Sequence, residues 1–298
     1  MRPEVTSPKT TPHPGRAASA LLALLVGLIT REGVHTLVVV LDAAGGAHRL
    51  ASGVRVSWAS SPSFATVGTV LSTLLVLPLL DILFDVLLGA DLSAPNLVRT
   101  GYAAALAALT TSVAGGVVGQ VVADRNRGVF QEVHMRRRVD AAYWLSLGVV
   151  PTLLATTTGA AAIGAVHLLS PVHDAGMLGR VLVLAPVAVT CGLLMGVAAG
   201  GIGVDAPDPY LGLTIVSALL PLLTGVIVPL TLCPGWVRSA SRLVPMSGAL
   251  AALDAPSAEV PDLVGRDVLV GALWAVIGLA AARRAVIRLR RGLRRDPV

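Results

Sequence analysis

Gly101–Ala123 is 23 residues long and holds no Asp, Glu, Lys or Arg. Roughly 20 apolar residues at about 1.5 Å each cover the hydrocarbon core of a bilayer as a helix. In lipid the chain must satisfy its own backbone polar groups, and a helix does so within one segment. Directly behind the run stands Asp124-Arg-Asn-Arg-Gly-Val-Phe-Gln-Glu-Val-His-Met-Arg-Arg-Arg138, with five arginines. Basic residues stay on the cytoplasmic side, so this end of the span faces the cytoplasm. The segment is too long and too patterned for a simple turn. It is expected to be recognised by something on that side.

Composition widens the conclusion to the whole chain. Of 298 residues 54% are hydrophobic and 13% charged, with mean hydropathy +0.78, where a soluble domain carries about a quarter charged residues. The pI near 10.3 would point to nucleic acid in a soluble protein. Here the basic residues flank apolar runs, so membrane orientation accounts for them and no nucleic-acid partner is expected. Cys191 and Cys233 offer neither a disulfide framework nor metal-ligand spacing and read as small apolar fillers. His167 and Ser170-Pro-Val-His173-Asp174 lack the ligands and spacing of a metal site. Thr110–Ser112 and Thr156–Thr158, among Ala and Gly, read as close helix packing.

Six nearly uncharged runs follow, at about 64–89, 101–123, 141–168, 181–204, 210–232 and 267–286. They predict an all-α polytopic membrane protein with six transmembrane helices. Tyr102, Tyr143, Trp144 and Tyr210 each open a span, and Trp58 and Trp236 lie just outside one, as expected for rings at headgroup level. With six spans, 18 of the 23 basic residues fall on one side, which makes both termini cytoplasmic. Residues 1–47 form an extension. Arg2–Gly15, rich in proline, reads as a disordered tail. Ala17–Thr30 is a short apolar stretch interrupted downstream by Arg31, Glu32 and His35. An interfacial helix or extra sequence ahead of the true start fits it better than a signal peptide, since no small-residue cleavage site follows. The domain proper is expected at 48–298.

His48–Trp58 precedes the first span. Leu50, Val54 and Trp58 recur every four residues, and Arg49 and Arg55 are left to face headgroups or water, the pattern of a helix lying at the inner interface. Cys233–Ala252 joins spans five and six on the outer side. Pro234 and Gly235 stop span five, Trp236 opens a short helix, and Pro245 breaks it. Irregular backbone is tolerated at membrane depth only where protein or a cavity covers it, so this element is placed at the outer rim, dipping partly back in.

Six spans with cytoplasmic termini, a helix before span one, a charged extension after span two and Pro234-Gly235-Trp236…Pro245 before span six resemble the type-2 family of ABC transporter permeases. The resemblance covers about residues 48–298. Asp124-Arg-Asn-Arg-Gly128 matches the family's charged cluster and its glycine. Val129 and Phe130 stand where Thr-Leu is usual, Gln131 stands where Glu is usual, and the following proline is missing. The resemblance implies a bacterial plasma-membrane permease for drug or antibiotic export. It further implies a second, identical or related permease chain, and a separate ATPase subunit that holds ATP and Mg. Arg49, Arg55, Trp58, Arg125, Arg127, Phe130, Glu132, Val133 and Arg136 would contact that subunit, and Pro234, Gly235, Trp236 and Pro245 would form the outer gate.

The residues agree that the chain is no ATPase. A P-loop needs a lysine on the phosphates, and the only lysine is Lys9 in the proline-rich tail. No catalytic residue and no bound cofactor are expected. Spans two to six carry no mid-span His, Asp or Glu base, which argues against an intramembrane enzyme. Asp81 and Asp85, four apart in span one, share a face and could line the substrate path. They also keep open a proton-coupled secondary transporter. Apolar, small-residue-rich walls suit hydrophobic drugs, lipids or antibiotics equally.

Overall fold

A computed structural model describes residues 47–59, 72, 76–136 and 140–291. The chain is helical throughout these residues: α1 (Ala47–Ala59), α2 (Leu77–Asp91), α3 (Leu97–Asn126), α4 (Val129–Arg136), α5 (Ala141–Leu169), α6 (Ala175–Gly203), α7 (Leu211–Thr224), a 3-10 turn at Leu230–Leu232, α8 (Gly235–Ser241), α9 (Ser247–Ala251) and α10 (Val260–Arg290). The expected N-terminal extension, apart from its last residue, and the first half of the expected span 64–89 lie outside the described residues.

Four helices, α3, α5, α6 and α10, are long and apolar enough to cross a membrane. The starts of α3, α5 and α6 are fixed by short polar caps that satisfy the first free N–H groups; α10 starts without one, with a proline in its first turn. The Asn96 side chain accepts from the Arg99 amide at 3.0 Å, Asp140 from Ala142 at 3.0 Å, and Asp174 from Gly176 and Met177 at 2.8 and 3.1 Å. These caps carry α3 and α6 several residues beyond the uncharged runs.

The expected fifth span, 210–232, is corrected. Its helix α7 ends at Thr224, after 14 residues, which reach about 21 Å at 1.5 Å per residue. Gly225 then takes φ +75°, a left-handed turn that a residue with a Cβ resists. Pro229 follows in extended backbone. The chain continues as a folded-back segment, 225–255, which carries the 3-10 turn, α8 and α9.

The α3 helix is the centre of the bundle. Tyr102 to Leu106 are at most 1% exposed. It packs along α6, with α5 and α2 against its other sides, and α10 covers the far face of α6. One apolar core follows the α3–α6 seam; a second, around Phe130, Tyr143, Trp144 and Val286, closes the arginine-rich end. The expected aromatic belt is thus corrected at three positions: Tyr102, Tyr143 and Trp144 are buried, while Trp58, Tyr210 and Trp236 remain exposed. Tyr102 keeps a polar partner inside the protein. Its hydroxyl lies 3.0 Å from His167 Nδ1, so this ring needs no water.

Candidate functional site

The arginine-rich end is built on one turn. The α3 helix ends at Arg127, and Gly128 at φ +77° turns the chain so that α4 starts one residue later. That left-handed position is why a glycine follows the charged cluster. The eight residues of α4 divide by face. Phe130 is 0% exposed and stacks on His134 at 4.1 Å between ring centroids, with Tyr143 and Trp144 edge-on to the imidazole at 5.1 and 6.5 Å. Val133 is half-buried beside them, while Glu132, Met135 and Arg136 face outward.

Several expected contact residues are therefore occupied within the chain. Phe130, expected as an apolar surface anchor, is a core residue that fixes α4 in place. The Arg125 guanidinium donates to the Gly203 and Ala206 carbonyls at 3.0 and 2.9 Å, closing the C-terminus of α6, whose last carbonyls lack helical partners. Arg127 is exposed. Glu132 and Arg136 pair with each other at 3.2 Å, both well exposed, an arrangement worth a few tenths of a kcal/mol, roughly, on an exposed helix.

The α1 helix lies against the start of α5. Leu50, Gly53, Val54 and Ser57 form its inner face. A Cβ on Gly53 would meet the Ser146 side chain at 2.5 Å. Trp58, expected on the face of Leu50 and Val54, is half-exposed, and Arg55 is exposed too. The side chain of Arg49 lies outside the described residues. Between α1, α3, α4 and α5 is a cavity of about 280 Å³ bordered by Ser57, Gln120, Asp124, Asp140, Tyr143 and Ser146.

His134 gives this end a pH dependence. Its Nδ1 is 2.9 Å from the Phe130 carbonyl, and a carbonyl only accepts, so Nδ1 carries the proton. Burial pushes its pKa below the usual histidine value; the Phe130 carbonyl and Asp140 oppose this, and the Arg290 charge adds to it. The folded state thus prefers neutral imidazole, and the unfolded chain binds the extra proton first as pH falls. The stabilisation is complete above the unfolded value of 6.5 and is lost as pH drops below it toward the lower folded value. Amide protection of Val129–Arg136 is expected to fall between pH 7.5 and 5.5, and to be flat with pH in His134→Phe. Equal pH dependence in both chains would refute the assignment.

The opposite end is a clamp around the folded-back segment. Arg99, 3% exposed, donates Nε to Asp254 Oδ2 at 2.9 Å, Nη1 to the Gly225 and Val226 carbonyls at 2.7 and 3.1 Å, and Nη2 to the Leu250 carbonyl at 3.2 Å. Arg180 adds the Leu253 and Ala255 carbonyls at 3.1 and 3.0 Å. Asp267 receives the Gly248 and Ala249 amides at 3.0 and 2.7 Å. Of the expected gate residues, Pro234 precedes α8 and is exposed with Gly235 and Trp236, and Pro245 is buried. The expected pair Asp81 and Asp85 lies on α2, the first exposed and the second half-buried.

Sequence reasoning counted Arg99, Arg180 and Arg290 only as orientation charges and passed over Asp267. The signal for Arg99 was its place three residues after a capping Asn. That for Asp267 was an acid two turns inside the helix, at the edge of the uncharged run that follows it.

No curated protein and no solved structure matches the chain. The family model for the ABC-2 type transporter matches residues 51–255, from α1 to the end of the folded-back segment. The chain belongs to the ABC-2 type transporter family, as a membrane-spanning permease domain without the ATPase nucleotide-binding domain.

Proposed function

We propose that the chain is the membrane half of an ATP-driven exporter in a bacterial plasma membrane. It crosses six times with both termini in the cytoplasm, pairs with a second identical or related permease chain, and moves drug-like or antibiotic molecules outward. ATP and Mg are held by a separate ATPase subunit that docks on α4 and α1. The observation that carries this is the build of α4. Its inner face is locked into an aromatic core, while Glu132, Met135 and Arg136 stand outward on a helix set off by a glycine turn, with Arg127 exposed just ahead of that turn. Such an element transmits a push instead of absorbing it, as rigid-body coupling requires. The folded-back segment with Trp236 and Pro245 would close the outer side.

Arg127→Glu tests the docking, because Arg127 is exposed and does not share in the α4 core. A like-charge or unpaired charge at an interface rim is expected to weaken capture of the ATPase, sought first in the adjacent reading frame, by roughly tenfold. Membrane insertion and unfolding temperature should not change. Wild-type capture and full ATP-coupled transport by this variant would contradict the docking surface.

A further inference from the structure

We propose that Arg290 is a positioning residue that ties the last span to α4, so that a displacement of α4 is delivered to α10 as well as to α3. The push on α4 rests on the ATPase reading above; the tie itself does not. Arg290 is the last residue of α10 and lies outside the matched family region. Its Nε and Nη2 donate to the His134 carbonyl at 3.2 and 2.7 Å, and Nη2 also to the Met135 carbonyl at 2.9 Å. These carbonyls lie in the last turn of α4 as described, Val129–Arg136, and a carbonyl near a helix C-terminus carries partial negative charge. A planar guanidinium suits two adjacent carbonyls; an ammonium does not hold both in one geometry.

The tie is one side of a closed ring. Arg288, half a turn earlier on α10, pairs with Asp205 at 2.7 Å in the turn between α6 and α7. Arg125, at the base of α3, holds the same turn through the Gly203 and Ala206 carbonyls. Gly128 joins α3 back to α4. The path α3, Arg125, turn, Arg288, α10, Arg290, α4 therefore returns on itself, and the helix ends at this face move as a plate. An arginine serving orientation alone requires charge near the membrane, not directed bonds to two carbonyls of a neighbouring helix.

The first arm of the test uses the chain alone, in lipid nanodiscs, comparing wild type with Arg290→Ala and Arg290→Lys by amide exchange. Exchange over Val129–Arg136 is expected to rise about tenfold in Arg290→Ala and less in Arg290→Lys, with the centre of α6 unchanged. The second arm uses the complex with its ATPase, carrying Ser239→Cys on α8 and Cys233→Ser, labelled by a membrane-impermeant maleimide with and without ATP. Arg290→Ala should hydrolyse ATP within about twofold of wild type yet lose the nucleotide-dependent change in labelling, and Arg290→Lys should retain part of it. A purely structural role would lower hydrolysis and the labelling change together. Unchanged exchange over Val129–Arg136, or a full nucleotide response in Arg290→Ala, overturns the proposal. If the wild-type complex shows no nucleotide response, the ATPase reading fails, and the tie is decided by the exchange arm.

Discussion

Asp267→Ala is expected to destabilise the chain by about 2–6 kcal/mol, at about 1–3 kcal/mol for each of two buried amides left without an acceptor. The carboxylate is 0% exposed. Each oxygen has its own amide: Oδ1 takes Gly248 N–H at 3.0 Å and Oδ2 takes Ala249 N–H at 2.7 Å. It thereby caps α9 from another helix, because Met246, ahead of α9, provides no side-chain cap. Arg266 reaches Oδ1 only at 3.4 Å and is partly exposed, so most of the loss comes from the two stranded amides. Asp267→Asn has one acceptor where two are needed, and its NH2 would face an N–H; it should cost about 1–3 kcal/mol. Thermal unfolding in detergent ranks the three chains, and amide exchange at Ser247–Ala251 locates the damage. The idea is lost if Asp267→Ala melts with the wild type.

The same carboxylate explains a strained residue. Met246 has φ +86° and is 0% exposed; a non-glycine residue held there costs about 1–3 kcal/mol and persists only where its surroundings over-determine it. Here they do. Thr110 Oγ1 sits 3.4 Å from Met246 Sδ, Pro245 precedes it, and Asp267 grips the two amides at Gly248 and Ala249.

How much of this was legible depends on what each residue answers to. Charge-free runs report passage through an apolar environment, so α3, α5, α6 and α10 overlap four of the expected spans. α3 extends further than hydropathy indicates because Arg99 and Arg125 bond to protein, and a charge with an internal partner does not end a helix. Span five was drawn too long for the opposite reason. Residues 210–232 are uncharged throughout, but Gly225 and Pro229 turn the backbone inward, and an average over hydropathy cannot see a turn. At α4, the spacing of charges marked the right segment while inverting one role: Phe130 looked like an anchor because nothing in the sequence places Tyr143 and Trp144 above it. The arginines of the tail were indistinguishable as topology markers. Only three-dimensional proximity separates Arg290, on two carbonyls, from its neighbours. One legible pattern was overlooked: Gly192, Gly196 and Gly200 recur every four residues, the small-residue spacing by which membrane helices approach closely.

That pattern has a counterpart on the other side of α6, which gives the second large prediction. Gly278→Ala should destabilise the chain by about 1–3 kcal/mol, and Gly278→Val by more. A Cβ built at Gly278 would stand 2.5 Å from Ala198 Cα, 2.7 Å from the Ala198 carbonyl oxygen and 2.8 Å from that of Val197. All three are backbone atoms, so no side chain can swing aside and α10 must move off α6. Gly201 faces the Gly278 carbonyl across the same contact, and the two helices touch backbone to backbone. Gly265, on the same helix, is the internal control, since nothing lies within 4 Å of its Cβ position. There alanine should be neutral or stabilising by up to about 1 kcal/mol through helix propensity alone. Opposite shifts in melting temperature for Gly265→Ala and Gly278→Ala separate packing from propensity, and equal shifts would mean that α6 and α10 are not in backbone contact. Because α6 also meets α3 through Gly192, where a Cβ would lie 2.6 Å from the Thr110 carbonyl oxygen, α6 is held by backbone contacts on two faces. Three helices joined this way resist sliding past one another, so a displacement entering at the arginine-rich end reaches the clamp at the other end as a tilt of the whole group.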